Sequence, residues 1–170
     1  ELTAMYMLSD YFKEKNIDDL VVVAADIGIS KRARDAAERL NSPLAIIEKR
    51  RIDNNDQAEA LNVIGDVEGK TTLIFDDEVL TGGTLVNDVH VLLERGAKEV
   101  YACCTHPLFA GPAIKRINES PIKELVVTNT VPVTDGKQLS KITVLSIAPL
   151  LGEAIRRIHT GESVGALFEQ

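Results

Sequence analysis

Short runs of apolar and β-branched residues alternate with amphipathic segments along the chain, and this alternation constrains the fold more than any other feature. Strand-like runs separated by helical patterns are typical of a parallel sheet covered by helices. The sequence therefore predicts an α/β fold with three layers, α/β/α, and a mostly parallel sheet. The predicted strands are residues 20–24, 44–47, 72–75, 100–103 and 125–128.

Several segments between and around these strands have the spacing of amphipathic helices. In residues 30–40, three alanines and a leucine fall on one face, whereas charged side chains occupy the other. In residues 84–95, leucines and valines form a similar stripe, and Gly96 is a predicted stop signal. Further helices are expected at residues 3–15 and 149–158, and residues 61–64 are a candidate antiparallel edge strand.

The size and charge of the chain exclude several classes of protein. Its 170 residues fit one domain, and 45% hydrophobic with 26% charged residues is ordinary for a folded domain. A net charge of −7 opposes binding to a phosphate backbone, and 4% aromatic residues leave few side chains for base stacking. We therefore expect no nucleic-acid partner.

The sequence also predicts no membrane partner and a cytoplasmic location. The longest apolar run, residues 20–25, is far shorter than the roughly 20 residues that a membrane-spanning helix needs. No signal-peptide pattern is visible at the first residues. The two cysteines, Cys103 and Cys104, are adjacent and cannot close an ordinary disulfide loop, which favours a reducing compartment.

The most informative motif follows the third apolar run and leads into a predicted helix. It reads Asp-Asp-Glu-Val-Leu-Thr-Gly-Gly-Thr over residues 76–84. The carboxylates can hold sugar hydroxyls or Mg²⁺, and the glycines let backbone N–H groups converge on an anion at the positive end of a helix. Ligands of open α/β sheets bind at the carboxyl ends of the strands, so the motif predicts a ligand site. The structural alternative is a simple turn capped by Thr84.

Other charged residues follow the first two predicted strands. Asp26 can bind Mg²⁺ or a ribose hydroxyl there, or it can simply stabilise a turn. The basic triplet at residues 49–51 begins a charged, Asn-rich stretch, residues 49–58, that predicts a long mobile loop. Such a loop can close over a polyphosphate and neutralise its charge, although solvated surface is the alternative. His106 is expected at the same edge of the sheet.

Residues 65–71 contain Gly, Lys and Thr in an order that superficially suggests a nucleotide-binding P-loop. Only three residues separate Gly65 from Gly69, whereas a P-loop has four between its glycines. A P-loop also follows its strand, and this segment precedes one. We predict an ordinary turn.

Residues 76–84 resemble the phosphoribosyl-diphosphate-binding loop that type I phosphoribosyltransferases share with ribose-phosphate pyrophosphokinases. The rest of the chain is similar, in order, to the C-terminal half of the pyrophosphokinases. The resemblance implies a phosphoribosyltransferase-like fold over residues 1–170, as one domain of a two-domain enzyme whose N-terminal domain supplies much of the ATP site. The similar segments are residues 21–28, 32–34, 46–51, 62–67, 104–113 and 124–130.

The resemblance also implies an activity and a set of site residues. The expected reaction joins ribose 5-phosphate and ATP to give phosphoribosyl diphosphate and AMP, with Mg²⁺, in a homo-oligomer. Asp26 would help to bind Mg²⁺, and Lys49 and Arg51 would close over the transferring diphosphoryl group as catalytic residues. By motif position, the residues that would bind ribose 5-phosphate are Asp76, Asp77, Thr81, Gly82, Gly83 and Thr84.

Two positions depart from the pattern of the family. Leu80 occupies a position where the pyrophosphokinases usually carry Asp, and Ile29 replaces a second glycine after Gly28. Two alternative functions stay open. One is a phosphoribosyltransferase, which would need a hood that recognises a base. The other is a non-catalytic regulatory homologue, which Leu80 supports.

Overall fold

A computed structural model describes residues 2–51, 59–134 and 139–167, and its described strands form one sheet. The strands are β1 (Leu20–Ala24), β2 (Leu44–Arg51), β3 (Glu59–Ile64), β4 (Thr71–Val79), β5 (Glu99–Pro107), β6 (Glu124–Thr128) and β7 (Ile142–Leu145). Their order across the sheet is β3-β2-β1-β4-β5-β6-β7. The β2–β3 pair is antiparallel and every other neighbouring pair is parallel.

Helices cover both faces of the sheet, and three of the described helices connect neighbouring parallel strands. They are α1 (Met5–Lys15), α2 (Ser30–Arg39), α3 (Gly83–Glu94), α4 (Ala113–Glu119) and α5 (Ala148–Thr160), and a short 3₁₀ helix spans Gly165–Leu167. The predicted α/β fold with a mostly parallel sheet is confirmed. The structure adds β7 and α4, which the sequence patterns did not indicate.

The core consists of two apolar layers, one on each face of the sheet. Residues of β1 alternate between the layers, so that Val21 and Val23 pack on one side and Val22 and Ala24 on the other. The first layer includes side chains of α3 and α4, and the second includes side chains of α1 and α2. All five residues of β1 are buried, because a central parallel strand is covered on both faces.

The prediction of a loop that begins at residue 49 is wrong. Residues 49–51 continue β2, and β3 pairs with them antiparallel in the register Lys49 to Leu61 and Arg51 to Glu59. Backbone pairing with β3 continues the strand through this charged run. The remainder of the predicted loop, residues 52–58, lies outside the described residues. The predicted antiparallel edge strand at residues 61–64 is confirmed and begins two residues earlier.

Strand β4 is longer than predicted and includes part of the acidic motif. β4 continues through the acidic residues to Val79, where it pairs with Pro107 of β5, so the first acids of the motif belong to the strand rather than follow it.

Residues 65–70 form the predicted turn, with Gly65 and Gly69 at positive φ. None of the helices in the described ranges has the length and apolar character that a membrane crossing requires.

Candidate functional site

The carboxyl edge of the sheet holds a cavity of about 580 Å³ beside the predicted motif. Residues 76–85 line it without a break, and Asp26 approaches from the end of β1. β1 and β4 are parallel neighbours, with Ala24 paired to Phe75, which explains why acids that follow both residues converge. The structure therefore brings together seven of the nine predicted site residues: Asp26, Asp76, Asp77, Thr81, Gly82, Gly83 and Thr84.

The Thr-Gly-Gly-Thr turn leads directly into α3, and its two glycines lie in different surroundings. Gly82 adopts φ +71°, a left-handed conformation that side chains disfavour, and it precedes the first helical residue. A Cβ on Gly83 would lie 3.2 Å from Nη1 of Arg116. Because the first amides of a helix have no intrahelical acceptor, this turn can offer several N–H donors to one anion.

Arg116 of α4 contacts the backbone of this turn, and it was not among the residues predicted from the sequence. Its Nη1 donates a hydrogen bond to the Thr81 carbonyl oxygen at 3.1 Å. The guanidinium thus places a positive charge beside the turn while it fixes the path of the backbone. The sequence carries no signal for this contact, because Arg116 lies 35 residues from Thr81 in a short helix.

Asp76 is the most perturbed carboxyl group of the site. Burial raises its pKa to about 6, and the nearby charges of Asp26 and Asp77 act in the same direction. The backbone N–H of Asp77, which donates to Asp76 Oδ1 at 2.8 Å, and the charge of Lys49 oppose that increase. The carboxylate is therefore held in an environment that disfavours its charge, which a hydroxyl donor or a cation would relieve.

The other two predicted acids are more exposed and are held by local contacts. Asp77 forms an ion pair with Arg32 of α2. Asp26 accepts a hydrogen bond from the Ile29 backbone N–H at 3.0 Å, which closes a turn between β1 and α2. Ile29, where the family pattern has glycine, is 7% exposed and packs in the core layer of α1 and α2, so this departure extends the core.

Lys49 extends from β2 to α3 rather than into solvent. Its Nζ lies 3.2 Å from Oδ2 of Asp88, and the Asp88 side chain is 0% exposed. Asp88 could not be recognised from the sequence because it lies within the apolar stripe of a helix. Lys49 is near enough to Asp76 to lower the pKa of that group. Arg51 is the last residue of β2, and its side chain lies outside the described part of the chain.

His106 contributes to a second, smaller cavity on the other side of the two aspartates. This cavity has a volume of about 260 Å³, and Arg32, Asp76 and Asp77 also line it. Nδ1 of His106 lies 3.0 Å from Oγ1 of Thr130, which donates to the Thr105 carbonyl oxygen. His106 is therefore at the predicted edge, although it lies within β5 and not after it.

The donors at this edge suit Mg²⁺ better than a soft metal. Mg²⁺ prefers oxygen ligands and is commonly held by one or two carboxylates together with substrate phosphates and water. Asp26 and Asp76 are near enough for the charge of Asp26 to raise the pKa of Asp76, so a cation between them would be favoured. Within the ranges described, no three Asp, Glu, His or Cys residues form a group that could hold a metal ion alone.

Solved structures with this fold include an enzyme that makes phosphoribosyl diphosphate. The phosphoribosylpyrophosphate synthetase of Mycobacterium smegmatis superposes with a TM-score of 0.85 and 41% identity over 93% of this chain and 51% of its own. The adenine phosphoribosyltransferase of Trypanosoma brucei superposes with a TM-score of 0.52 and 17% identity over 85% of this chain and 64% of its own. The second match shows a shared fold alone.

Sequence relatives point to the same family. A ribose-phosphate pyrophosphokinase of Oceanobacillus iheyensis is 52% identical over 168 residues, 99% of this chain and 53% of the relative. The Bacillus subtilis enzyme of that name is 49% identical over 98% of this chain and 52% of its own length. The chain thus spans about half the length of these relatives. Residues 52–169 match the phosphoribosyl synthetase-associated domain. The chain therefore belongs to that domain family, and its resemblance to the ribose-phosphate pyrophosphokinases is confirmed.

Proposed function

We propose that this chain provides the ribose 5-phosphate site and the diphosphoryl-binding residues of a ribose-phosphate pyrophosphokinase. The observation that carries the proposal is the cavity at the carboxyl edge, which joins two aspartates to a Thr-Gly-Gly-Thr turn along one continuous stretch of chain. A sugar phosphate presents hydroxyls and a phosphate at a fixed separation. The site offers carboxylates, which can accept hydrogen bonds from the hydroxyls, and then, further along the chain, helix N–H groups, which can bind the phosphate.

The residues divide by the part of the substrate that they suit. Asp76 and Asp77 accept hydrogen bonds from the ribose hydroxyls, and the raised pKa of Asp76 makes such a donor favourable. Thr81, Gly82, Gly83 and Thr84 surround the 5-phosphate with amide and hydroxyl donors. Arg116, which holds the Thr81 carbonyl, keeps this turn in its binding conformation.

In the proposed reaction, the anomeric hydroxyl oxygen of ribose 5-phosphate attacks the β-phosphorus of ATP. The bond from that phosphorus to the α–β bridging oxygen breaks, AMP leaves, and the hydroxyl proton is released. Little covalent work falls to the protein, which mainly positions the reactants and stabilises charge. Lys49 and Arg51 neutralise the diphosphoryl group as it transfers.

Mg²⁺ is part of the proposal, with Asp26 as its protein ligand. When bound, it would neutralise the phosphate oxygens of ATP and orient the diphosphoryl group. Asp26 is suited to this because it lies at the cavity, beside the two sugar-binding aspartates. The rest of the nucleotide site is proposed to come from an N-terminal domain, and the complete enzyme is proposed to be a homo-oligomer. The buried, free thiols of Cys103 and Cys104 support a cytoplasmic enzyme.

Phosphorus NMR tests this proposal directly. The chain is mixed with ribose 5-phosphate, ATP and Mg²⁺, and the spectrum is followed for AMP and phosphoribosyl diphosphate. Formation of both products shows a self-sufficient enzyme. A shifted or broadened ribose 5-phosphate signal without products shows a binding domain that requires its nucleotide-binding half. An unchanged ribose 5-phosphate signal contradicts the proposal.

A non-catalytic regulatory homologue is the second candidate, and one observation favours it. Leu80, which stands where the pyrophosphokinases usually carry Asp, lines the cavity with its side chain 47% exposed. An exposed apolar side chain here replaces a possible hydroxyl or metal contact. The Leu80→Asp variant separates the candidates: a gain of activity indicates a degenerate site, whereas unchanged activity indicates a tolerated substitution.

A further inference from the structure

We propose that Asp88 is a positioning residue that holds the Lys49 ammonium group near Asp76, at the edge of the sheet where the diphosphoryl group is proposed to bind. This inference rests on the proposed function, because it gives Lys49 its task. The observation behind it is the ion pair between Nζ of Lys49 and Oδ2 of Asp88, at 3.2 Å. It joins β2 to the same helix, α3, whose first residue belongs to the phosphate-binding turn.

The burial of Asp88 indicates a specific purpose for this acid. It lies on the face of α3 that also carries Leu85, Val89 and Leu92, all 3% exposed or less. An apolar side chain would fill such a position at no electrostatic cost, whereas a buried carboxylate needs a partner to offset its lost hydration. Lys49, with its side chain 17% exposed, supplies that partner.

The position of the Lys49–Asp88 ion pair indicates which groups the Lys49 ammonium can act on. Lys49 extends from the same face of β2 as Ile47, whose side chain packs in the core layer beneath α3. Its charge also reaches Asp76, where it lowers the pKa. Asp88 thus fixes the ammonium relative to both the sugar-binding carboxylate and the phosphate-binding turn. A cation held in advance of the reaction loses less freedom when the diphosphoryl group arrives.

A second Lys–Asp pair provides a matched control. Lys70 and Asp19 approach to 3.3 Å at the opposite edge of the sheet, just before β4 and β1. Their side chains are 36% and 70% exposed, so water surrounds the pair. The Asp19→Asn variant removes the same charge as Asp88→Asn at nearly the same separation, but far from the cavity.

The first experiment measures whether Asp88 holds Lys49, and it requires no substrate. The folded chain is treated briefly with acetic anhydride, and the acetylation rate of each lysine is determined by mass spectrometry. We expect Lys49 to react roughly 10-fold more slowly than Lys70 in the wild-type chain, since a buried ion pair restrains its amine. Asp88→Asn should raise the Lys49 rate roughly 10-fold, whereas Asp19→Asn should leave it unchanged.

The second experiment measures whether this position matters for the diphosphoryl group. Calorimetry with Mg²⁺ compares ribose 5-phosphate, which lacks that group, with phosphoribosyl diphosphate, which carries it. Asp88→Asn should weaken the binding of phosphoribosyl diphosphate roughly 10-fold, about 1.4 kcal/mol. It should change the affinity for ribose 5-phosphate less than about 2-fold. In a Lys49→Ala background, Asp88→Asn should have no further effect, because a positioning residue acts only through its partner.

The outcomes separate this inference from the function on which it rests. The positioning role is overturned if Asp88→Asn weakens the binding of both ligands equally. It is also overturned if the effect of Asp88→Asn on binding is undiminished in the Lys49→Ala background. A wild-type chain that binds neither ligand contradicts the proposed function instead, and the Lys49 acetylation rate then decides the inference alone. If Asp88→Asn does not fold, the wild-type comparison of Lys49 with Lys70 remains decisive: equal rates overturn the inference.

Discussion

Asp76 and Glu124 are carboxylates of the same sheet, but they lie at opposite edges and their pKa values shift in opposite directions. Burial raises the pKa of Asp76 to about 6. Glu124 is partly buried, which favours a higher pKa, but hydrogen bonds from Thr143, Tyr11 and Lys15 outweigh this burial and lower the pKa. The Tyr11 and Thr143 hydroxyls both donate to Oε1 at 2.6 Å, and Lys15 Nζ lies 2.9 Å from Oε2.

The difference shows how the two edges divide stability and function. At the amino edge, Glu124 joins α1, β6 and β7 with donors from the protein itself, so its charge stabilises the fold. At the carboxyl edge, three aspartates approach one another around a cavity, where we propose that a ligand supplies further hydrogen-bond donors. Substitutions should therefore lower activity at the carboxyl edge and lower stability at the amino edge.

The largest expected effect is on catalysis at the carboxyl edge. Lys49→Ala should lower turnover by about 10²–10³-fold, or about 2.7–4 kcal/mol, as the loss of one preorganised charge-stabilising group does elsewhere. Binding of ribose 5-phosphate should change little, since the proposed role of Lys49 is to neutralise the diphosphoryl group. Steady-state kinetics in the enzyme assembly that carries this domain, together with ribose 5-phosphate titration, measure both. Equal losses of turnover and ribose 5-phosphate binding would show that the assigned role is wrong.

At the amino edge, Glu124→Gln should lower the free energy of unfolding by about 1.5–3 kcal/mol at neutral pH, because a charge that receives three donors is lost. Because folding lowers the pKa of Glu124, its contribution is present above the ordinary value of 4.5 and disappears as the pH falls through the folded value. Urea denaturation of wild type and variant from pH 7 to pH 3 measures this. A difference that persists unchanged at pH 3 would refute it.

Asp76→Asn should have the opposite effect and raise the free energy of unfolding by up to about 3 kcal/mol at pH 7.5. Folding raises the pKa of Asp76 to about 6, so its ionisation opposes folding above that pH. The stabilisation should shrink as the pH falls through 6 and vanish near 4. The amide can still accept the Asp77 N–H bond. Denaturation at several pH values, with Asp77→Asn at the more exposed neighbour as control, tests the sign.

Asp19→Asn should have the smallest effect, a change in unfolding free energy within about 0.5 kcal/mol. Its ion pair with Lys70 is exposed, and Asn tolerates the positive φ of 51° that Asp19 adopts. Chemical denaturation at low and high salt measures it. A loss of unfolding free energy as large as that of Glu124→Gln would mean that the exposure of an amino-edge carboxylate does not determine how much it stabilises the fold.

The sequence was sufficient to predict the parts of the fold that the apolar pattern encodes. A buried parallel strand such as β1 needs apolar side chains on both faces, so its bounds were predictable to the residue. The glycine turn was predictable as well, because positive φ at Gly82 restricts the residue type. The antiparallel pair β2–β3 was only partly predictable, since β2 continues through the charged residues up to Arg51 by backbone pairing with β3.

The candidate site was predictable where its residues are consecutive and not where they meet through the fold. The stretch from Asp76 to Thr84 lies at the cavity as expected. Arg116 and Asp88 were missed because each contacts a residue more than 30 positions away, and nothing local distinguishes them from ordinary helix residues. Lys49 was selected from the sequence as part of a loop, whereas it lies within β2, and its burial against α3 depends on the packing of that strand and could not be predicted.

The central claim is that the carboxyl edge binds a phosphoribosyl group. Backbone amide chemical shifts of the chain, recorded by NMR during titration with ribose 5-phosphate, test it most directly. We predict saturable shifts concentrated at residues 76–84, with the largest at the Gly82 and Gly83 amides, and no shifts at the amino-edge residues Asp19, Lys70 and Glu99. Shifts centred on the amino edge, or none that saturate, would contradict the account.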